Sequence, residues 1–466
     1  MRLNCTILAL VLLTGCARFH PQPLSPAKTA ANLENRSLAD PALKTFLEQN
    51  LHRQFTTWPA ASWDFDTLTL VAFYYHPDLA VARAQWNVAN AGVKTAGGVP
   101  NPTLSLTPGY NVNHINAAPG LSPWFPAVNF DLPVETAGKR RHRIATAQRL
   151  SESARLNVVT VAWQVRSRLR RSLLDLYAAR EAESLLQQQQ AAAAEVAHSM
   201  DSQLAAGEVP AFEATQARIA LSNSRLALLD VQRQRAEAHA QVASALGLPA
   251  NALDDTALSF TGLTQPPIGP PPTPELRRQT LLNRADILGA LADYAAAESA
   301  LQLEIAKQYP DVHFNPGYQY DQGDNKWSLG ITFELPVLNQ NQGPIAEAKA
   351  KRDESAAHFT ALQAAVVGEL DLAIAGYHTA LAKAETSDAM LADLKRQEQT
   401  TRARLEAGDI SKLELATVQL ELSQSALTRL DALVKAQQSF GALEDALQRP
   451  IDAINPAVIE QDHYRQ

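Results

Sequence analysis

The chain has 466 residues, with 41 lysines and arginines against 48 aspartates and glutamates, and a formal net charge of −7 at pH 7. This mild acidity argues against nucleic-acid binding, which needs a basic face. The spacing of the histidines also excludes a zinc-binding pair on adjacent turns of one helix, because no two of the 11 histidines lie closer than 20 residues.

Residues 1–15 are predicted to be a secretory signal, since the apolar run at 7–13 is too short to span a bilayer. The sequence LTGC that ends at Cys16 resembles the bacterial lipoprotein box. This resemblance implies that Cys16 is acylated. It also implies that the protein is sorted to the outer membrane, because Ala17 follows Cys16. The alternative is an ordinary cysteine after a signal peptide. Since Cys5 lies inside the signal, the mature chain would have a net charge of −8 and no free thiol.

Residues 16–62 are rich in proline and polar side chains, and they predict an extended, lipidated leader. No later run approaches 18 consecutive apolar residues, so any membrane crossing is expected to use a barrel instead of a helix. A proline-rich break at 264–275 divides the remaining chain into two structural repeats, 63–263 and 276–450. A tail at 451–466 follows them.

Both repeats predict a helix, then a strand pair, then a long helical hairpin. The strand pairs and hairpins are predicted at 101–134, 139–247, 310–336 and 341–447. FELPV at 333–337 echoes FDLPV at 130–134, and residues 404–427 match residues 203–226 at a constant offset of 201. The sequence therefore predicts a tandem duplication. We also expect each Leu-Pro-Val to end a strand, because proline interrupts strand pairing.

The strand segments alternate apolar and polar residues over about 9–11 positions, the length that a tilted transmembrane strand needs. A half-buried sheet in a soluble domain gives the same alternation and is the alternative. Four strands cannot close a membrane barrel, and open edges are not tolerated in lipid. A barrel would therefore need several chains, and three chains would supply twelve strands.

The hairpin helices are predicted to be very long. Residues 139–203 contain no proline or glycine, and residues 346–407 contain no proline. At about 1.5 Å per residue these segments would reach about 98 Å and about 93 Å. Helices of this length must pair as coiled coils, because a globular core cannot bury them. A solvated structural rod is the alternative.

Motifs of catalysis are missing from the sequence, which has no nucleophile elbow, no glycine-rich phosphate loop and no cysteine cluster. We therefore predict that the protein is not an enzyme and has no cofactor and no resident metal. Two basic stretches, at 138–143 and 166–171, are interpreted as solvated helix surfaces. Contact with lipid phosphates is the alternative for the first stretch.

The lipoprotein box, the duplication, the strand pairs and the long hairpins together resemble the TolC family of outer-membrane efflux channels, in its lipid-anchored branch that serves resistance-nodulation-division pumps. The resemblance covers about 63–450. It implies a homotrimer with a 12-stranded barrel in the outer membrane of a Gram-negative bacterium and an α-helical tunnel in the periplasm, closed at its tip. The implied partners are other copies of the chain, outer-membrane lipid, a periplasmic adaptor (membrane fusion) protein and an inner-membrane pump of that class. The channel would be a passive conduit.

In this family the hairpin turns contact the adaptor through a motif that resembles Arg-Leu-x-x-Gly-x-x-Ser. The second repeat keeps the motif in full, at Arg404, Leu405, Gly408 and Ser411. The first repeat keeps Leu204 and Gly207 but has Gln203 and Pro210 in place of the arginine and the serine. The alternative role of the two glycines is helix capping.

The resemblance also implies a periplasmic gate just after the second turn. Glu414 occupies a position where relatives have an acidic side chain, while Thr417 occupies the next one. A three-fold ring of Glu414 carboxylates would favour cations. The alternative is a solvated glutamate on a helix surface.

Residues 320–350 are similar to the heavy-metal (CzcC-like) members of the family. The preferred prediction for the cargo is therefore heavy-metal cations. The alternatives are the channel of a multidrug pump, polypeptide secretion, and a structural lipoprotein without a pore.

Overall fold

The computed structural model describes residues 19–112, 122–266 and 274–451, so Cys16 and the predicted signal lie outside the described residues. Ten α-helices and four strands occupy these ranges. They are α1 (Pro26–Glu34), α2 (Pro41–Leu51), α3 (Phe65–Tyr75), α4 (Pro77–Ala96), β1 (Thr103–Thr107), β2 (Ala127–Val134), α5 (Lys139–Ala205), α6 (Ala211–Leu246), α7 (Pro274–Asn283), α8 (Ala285–Ala306), β3 (Val312–Asp321), β4 (Asp324–Phe333), α9 (Gln342–Glu406) and α10 (Lys412–Leu447).

The segment before the first repeat is helical, and the prediction of an extended leader is wrong for it. Pro26 and Pro41 each open a helix, where the missing N–H and the fixed φ of proline are well accommodated. The Asp40 carboxylate caps α2, and Leu43 and Leu47 on that helix are fully buried. The leader therefore packs into the main hydrophobic core beside α3, α5 and α6.

The four strands form one antiparallel sheet in the order β1-β2-β3-β4. The central pairing of β2 with β3 joins the two repeats. β1 has five residues, which is shorter than predicted, and an isolated bridge between Tyr110 and Trp124 lies beyond it. The apolar side chains share one face, and on β4 they are open to solvent in the single chain, with Trp327 80% exposed.

The two Leu-Pro-Val junctions are not equivalent. β4 ends at Phe333, before its junction, as expected. β2 also ends at its junction, with Val134 as its last residue, but Pro133 lies inside the strand and pairs with His313 of β3, so proline does not interrupt the pairing there. Proline is accommodated there because β1 extends only to the level of Asp131, which leaves β2 with a free edge at Pro133.

The helical part consists of two hairpins, α5 with α6 and α9 with α10, whose long members have 67 and 65 residues. Each long helix spans about 100 Å at about 1.5 Å per residue. α10 also packs against α5, whereas the described chain contains no comparable packing of α9 against α6. Both long helices start near the sheet, so the hairpin turns lie at the far end of the molecule.

α9 is long and apolar enough, by length and composition alone, to cross a membrane. This property was not expected from the sequence, because no uninterrupted apolar run in it approaches 18 residues. In this structure 17% of the apolar stretch of α9 is buried. Length and composition do not distinguish such a helix from one that packs in a protein. Its extensive packing against α10 assigns α9 to the helical hairpin.

A buried polar network joins α5 of the first repeat to α10 of the second. Arg170 donates hydrogen bonds to the backbone oxygen and to Oε1 of Gln437, at 2.7 and 2.8 Å. The Glu444 carboxylate lies 3.3 Å from Arg166 and 3.7 Å from Arg170. Gln437 and Glu444 are 0% and 2% exposed. These contacts hold the two repeats together inside one chain. The interpretation of 166–171 as a solvated surface is therefore wrong for Arg166 and Arg170.

Candidate functional site at the hairpin turns and the strand-to-helix junction

The second hairpin turn is a Schellman motif. The Gly408 N–H donates to the Leu405 oxygen at 3.0 Å, and the Asp409 N–H donates to the Arg404 oxygen at 2.9 Å. Gly408 has φ +80°, in the left-handed region that favours glycine. The spacing of Arg404, Leu405 and Gly408 is therefore that of a helix end.

The first turn repeats this geometry. The Gly207 N–H donates to the Leu204 oxygen at 3.0 Å, the Glu208 N–H donates to the Gln203 oxygen at 2.9 Å, and Gly207 has φ +75°. Helix capping is thus confirmed as a role of Gly207 and Gly408. Contact of either turn with an adaptor stays a prediction.

The residue after each turn distinguishes the two repeats. Ser411 accepts a hydrogen bond from the Glu414 N–H at 3.3 Å, and the Glu414 carboxylate accepts one from the Ser411 N–H at 3.4 Å. This capping box fixes the start of α10. Pro210 provides no side-chain cap for α6. The proline in the first repeat therefore removes a local stabilising interaction as well as a hydroxyl.

Both proposed gate residues lie on the first two turns of α10 and are exposed in the single chain. The Glu414 carboxylate belongs to the capping box, and the Thr417 hydroxyl donates to the Leu413 oxygen at 2.9 Å. Each side chain thus makes a hydrogen bond within α10 or at its start, and their role as a gate stays a prediction.

Sequence reasoning missed two residues of the first turn. Glu213 precedes Glu414 by the repeat offset of 201, and it too is an exposed acid in the first turn of its helix. Phe212 is 70% exposed beside it. The offset that aligned the repeats was sufficient to find Glu213. The two turns thus present carboxylates at equivalent places.

Substitution of Ser411 by alanine is expected to destabilise the second turn by about 1 kcal/mol, because it removes the N-cap acceptor. Amide hydrogen exchange in residues 409–415 should then be about fivefold faster, as that free energy dictates. Thr417→Ala, which removes a hydroxyl that caps nothing, is the matched control and should leave exchange unchanged. Equal exchange in the two variants would contradict the capping role.

The first strand-to-helix junction is held by arginines of the stretch 138–143. Arg143 donates to backbone oxygens within 96–98 and forms an ion pair with Glu135 at 2.7 Å. Arg140 donates to one more oxygen of that segment at 2.8 Å. These oxygens end α4, where cations complement the helix dipole. The interpretation as a solvated helix start is therefore wrong for the half-buried Arg143, whereas Arg140 is exposed and fits it.

Lys139 links this junction to the second repeat. Its Nζ lies 2.8 Å from Oδ1 of Asp311, and the Thr136 N–H donates to the same oxygen at 2.9 Å. Burial alone would raise the pKa of Asp311, but these hydrogen bonds and the Lys139 charge outweigh it and lower the pKa. Asp311 is thus held ionised immediately before β3.

The profile of the family described as outer membrane efflux protein matches residues 72–248 and 276–448. The cobalt-zinc-cadmium resistance protein CzcC of Cupriavidus metallidurans is 24% identical over 375 residues, which cover 80% of this chain and 87% of that protein. The pyoverdine export outer membrane protein OpmQ of Pseudomonas aeruginosa is 24% identical over 376 residues, which cover 76% of each chain. The crystal structure of the CmeC outer membrane channel of Campylobacter jejuni superimposes with a TM-score of 0.68 at 15% identity, covering 86% of this chain and 89% of CmeC.

Proposed function

The chain belongs to the outer membrane efflux protein family, and we propose that it is the outer-membrane channel of a tripartite efflux system, which passively conducts its substrate from a periplasmic adaptor and an inner-membrane pump to the cell exterior. One observation carries this proposal: a sheet with an exposed apolar face continues directly into two helical hairpins of about 100 Å. A lipid-facing sheet and a long helical wall suit the two halves of such a conduit.

The sheet supports a barrel shared between chains. β1 and β4 are open edges, and the exposed face of the sheet is apolar. In lipid each edge must pair with another strand. Three copies of the chain would pair β4 of one with β1 of the next and close a barrel of twelve strands. The polar face of the sheet would then line the lumen.

The internal repeat supports the same assembly for the helices. Within one chain, Ser167 of α5 donates a hydrogen bond to Asp445 of α10. The offset of 201 maps these residues to Gly368 of α9 and Ser244 of α6, which are both exposed in the single chain. In a ring, α9 of one subunit would pack against α6 of the next as α5 packs against α10. The trimer is therefore proposed to have two related kinds of seam.

Cysteines placed at Gly368 and Ser244 in one chain are expected to cross-link neighbouring subunits into covalent dimers and trimers, because the proposed seam brings the two positions together. Gly368 has open space for a side chain. The mature chain would carry no competing free thiol once Cys16 is acylated. The measurement is denaturing electrophoresis of membranes treated with a short bis-maleimide.

The matched control is Met390→Cys with Ser244→Cys. Met390 lies 22 residues farther along α9 than Gly368, a distance of about 33 Å along the helix. This control pair should give monomers. Cross-linking of the control alone would contradict the proposed register.

At the far end, the turns are proposed to meet the adaptor through Leu204 and Gly207 in one repeat and through the complete motif of Arg404, Leu405, Gly408 and Ser411 in the other. What supports this is their position at the end remote from the sheet and the polar character of the second turn. Glu414 and Thr417 are proposed to narrow the closed tip. Cys16 is proposed to carry the lipid anchor.

The proposed cargo is heavy-metal cations, supported by the match to a cobalt-zinc-cadmium resistance protein over most of both chains. A channel for organic compounds, as in a multidrug pump, is the second candidate, because the chain also matches a pyoverdine export protein. The pump partner would set this choice, since the wall described here carries no pre-formed group of three or more metal-ligating His, Cys, Asp or Glu side chains within its described residues.

A deletion strain tested against zinc, cobalt, cadmium, copper and silver, and separately against lipophilic drugs, decides between these cargoes. Sensitivity to metals alone supports metal export, and sensitivity to drugs alone favours the second candidate. Purified protein in planar bilayers tests the conduit itself. A correctly folded trimer without ion conductance would favour a structural lipoprotein without a pore.

A further inference from the structure

His313 of β3 and Asp131 of β2 form a pair on the polar face of the sheet. The His313 Nδ1 atom lies 2.9 and 3.1 Å from the two carboxylate oxygens of Asp131. The two side chains come from different repeats and are 39% and 38% exposed. Their neighbours along each strand, Phe130 and Phe314, have side chains on the opposite, apolar face.

The pair lies in an open concavity of about 480 Å³. Asp311 and Glu334 line the same concavity, together with Lys139 and Lys307. Both lysines are engaged with other carboxylates, Lys139 with Asp311 and Lys307 with Glu304. The concavity therefore holds the His313 imidazole, three carboxylates and two lysines, so its negative charges outnumber the positive charges of the lysines.

A neutral imidazole and a carboxylate are ligands that zinc, cobalt and related divalent cations accept. Two ligand atoms at about 2.1 Å from one ion, on adjacent coordination positions, lie about 3.0–3.4 Å apart. The separation of His313 Nδ1 from Asp131 is close to this range. If Nδ1 instead donates its proton to Asp131, Nε2 is free to bind an ion, and the carboxylate orients the ring.

No three His, Cys, Asp or Glu side chains converge to hold an ion anywhere in residues 19–112, 122–266 and 274–451. A cation between Nδ1 and Asp131 would thus have two protein ligands, a cation at Nε2 would have one, and water would complete the shell in either case. Such binding is weak and reversible. Conduction requires that an ion bind well enough to enter a site and loosely enough to leave it.

We propose that the His313–Asp131 pair is an exchangeable site for divalent transition-metal cations of the zinc and cobalt class on the inner wall of the channel. This inference rests on the proposed function, because a closed barrel is what places the polar face of the sheet on a lumen. Three copies would line one level of the barrel, near the end of the strands that adjoins the helices.

The test is chemical modification of the purified full-length protein with diethyl pyrocarbonate, with peptide mass spectrometry to follow each histidine. Zinc chloride should slow modification of His313 in a saturable manner. Asp131→Asn should raise the zinc concentration for half-protection about tenfold, as loss of a carboxylate partner does at other histidine–metal sites. His52, an exposed histidine at the end of α2, is the internal control and should stay unprotected.

Equilibrium dialysis provides a second readout. At zinc concentrations above the value that half-protects His313, the wild type should bind one more zinc ion per chain than the His313→Gln variant. Unchanged modification of His313 in zinc, or equal zinc uptake by the two proteins, would overturn the site. Neither measurement depends on transport, so a channel that conducts without this binding would refute the site and leave the proposed function standing.

Discussion

Replacement of Glu444 by alanine is expected to lower the free energy of unfolding by about 3–5 kcal/mol, the range found when one partner of a buried ion pair is removed. The loss leaves Arg166 and Arg170 without their shared carboxylate in a nearly water-free position. It also removes the acceptor of the Ile451 N–H, which donates to Glu444 at 3.1 Å. Thermal unfolding of the purified protein, followed by circular dichroism, measures the effect.

Glu421→Ala provides the matched control for this substitution. Glu421 lies on the same helix but is exposed, and surface substitutions of this kind change stability by about 0.5 kcal/mol or less. Glu444→Gln keeps the shape and an acceptor and should fall between the two. A Glu444→Ala variant as stable as the Glu421 control would show that the network does not join the repeats.

Gly247→Ala is expected to destabilise the protein by about 3 kcal/mol or more, through left-handed strain and overpacking together. Gly247 has φ +75°, and a Cβ placed on it would lie 2.8 Å from the backbone oxygen of Tyr75. Backbone atoms cannot rotate away as a side chain can. Arg36, which donates to the oxygens of both Tyr75 and Gly247, would also be displaced.

Gly207→Ala separates the two contributions, because Gly207 has the same φ of +75° and nothing within 4 Å of a built Cβ. It should cost about 1–2 kcal/mol, the strain alone. The counterpart of Gly247 in the second repeat is Gln448, which adopts φ +48° with a side chain. Equal losses in the two alanine variants, measured by thermal unfolding, would show that the close approach of Tyr75 has no effect.

The sequence was informative where structure depends on local pattern. The absence of proline and glycine predicted the long helices, and α5 begins at the predicted residue and ends two residues beyond the predicted limit. The resemblance to outer-membrane efflux channels is confirmed by the family match and by the fold. The glycine and serine positions of the second turn were also found, because capping depends on neighbouring residues.

Features that depend on contacts between distant residues were not predictable in this way. Arg170 and Gln437 meet across 267 residues of sequence, and no local pattern marks them as partners. The same holds for Arg143, whose acceptors at the end of α4 are 45 and 47 residues away. The leader was misread because prolines that open helices resemble, in composition, prolines of an extended segment.

α5 contacts α10 within one chain, whereas the described chain contains no comparable contact between α9 and α6. This difference has a consequence for the order of assembly. A contact inside a chain forms at a rate that does not depend on protein concentration, whereas contacts between chains form faster as concentration rises. Each chain can therefore complete both hairpins and one of its two hairpin-to-hairpin contacts, α5 with α10, before it meets another copy. If the chains form the proposed trimer, dilution should slow its closure and leave the folding of the separate chains unaffected.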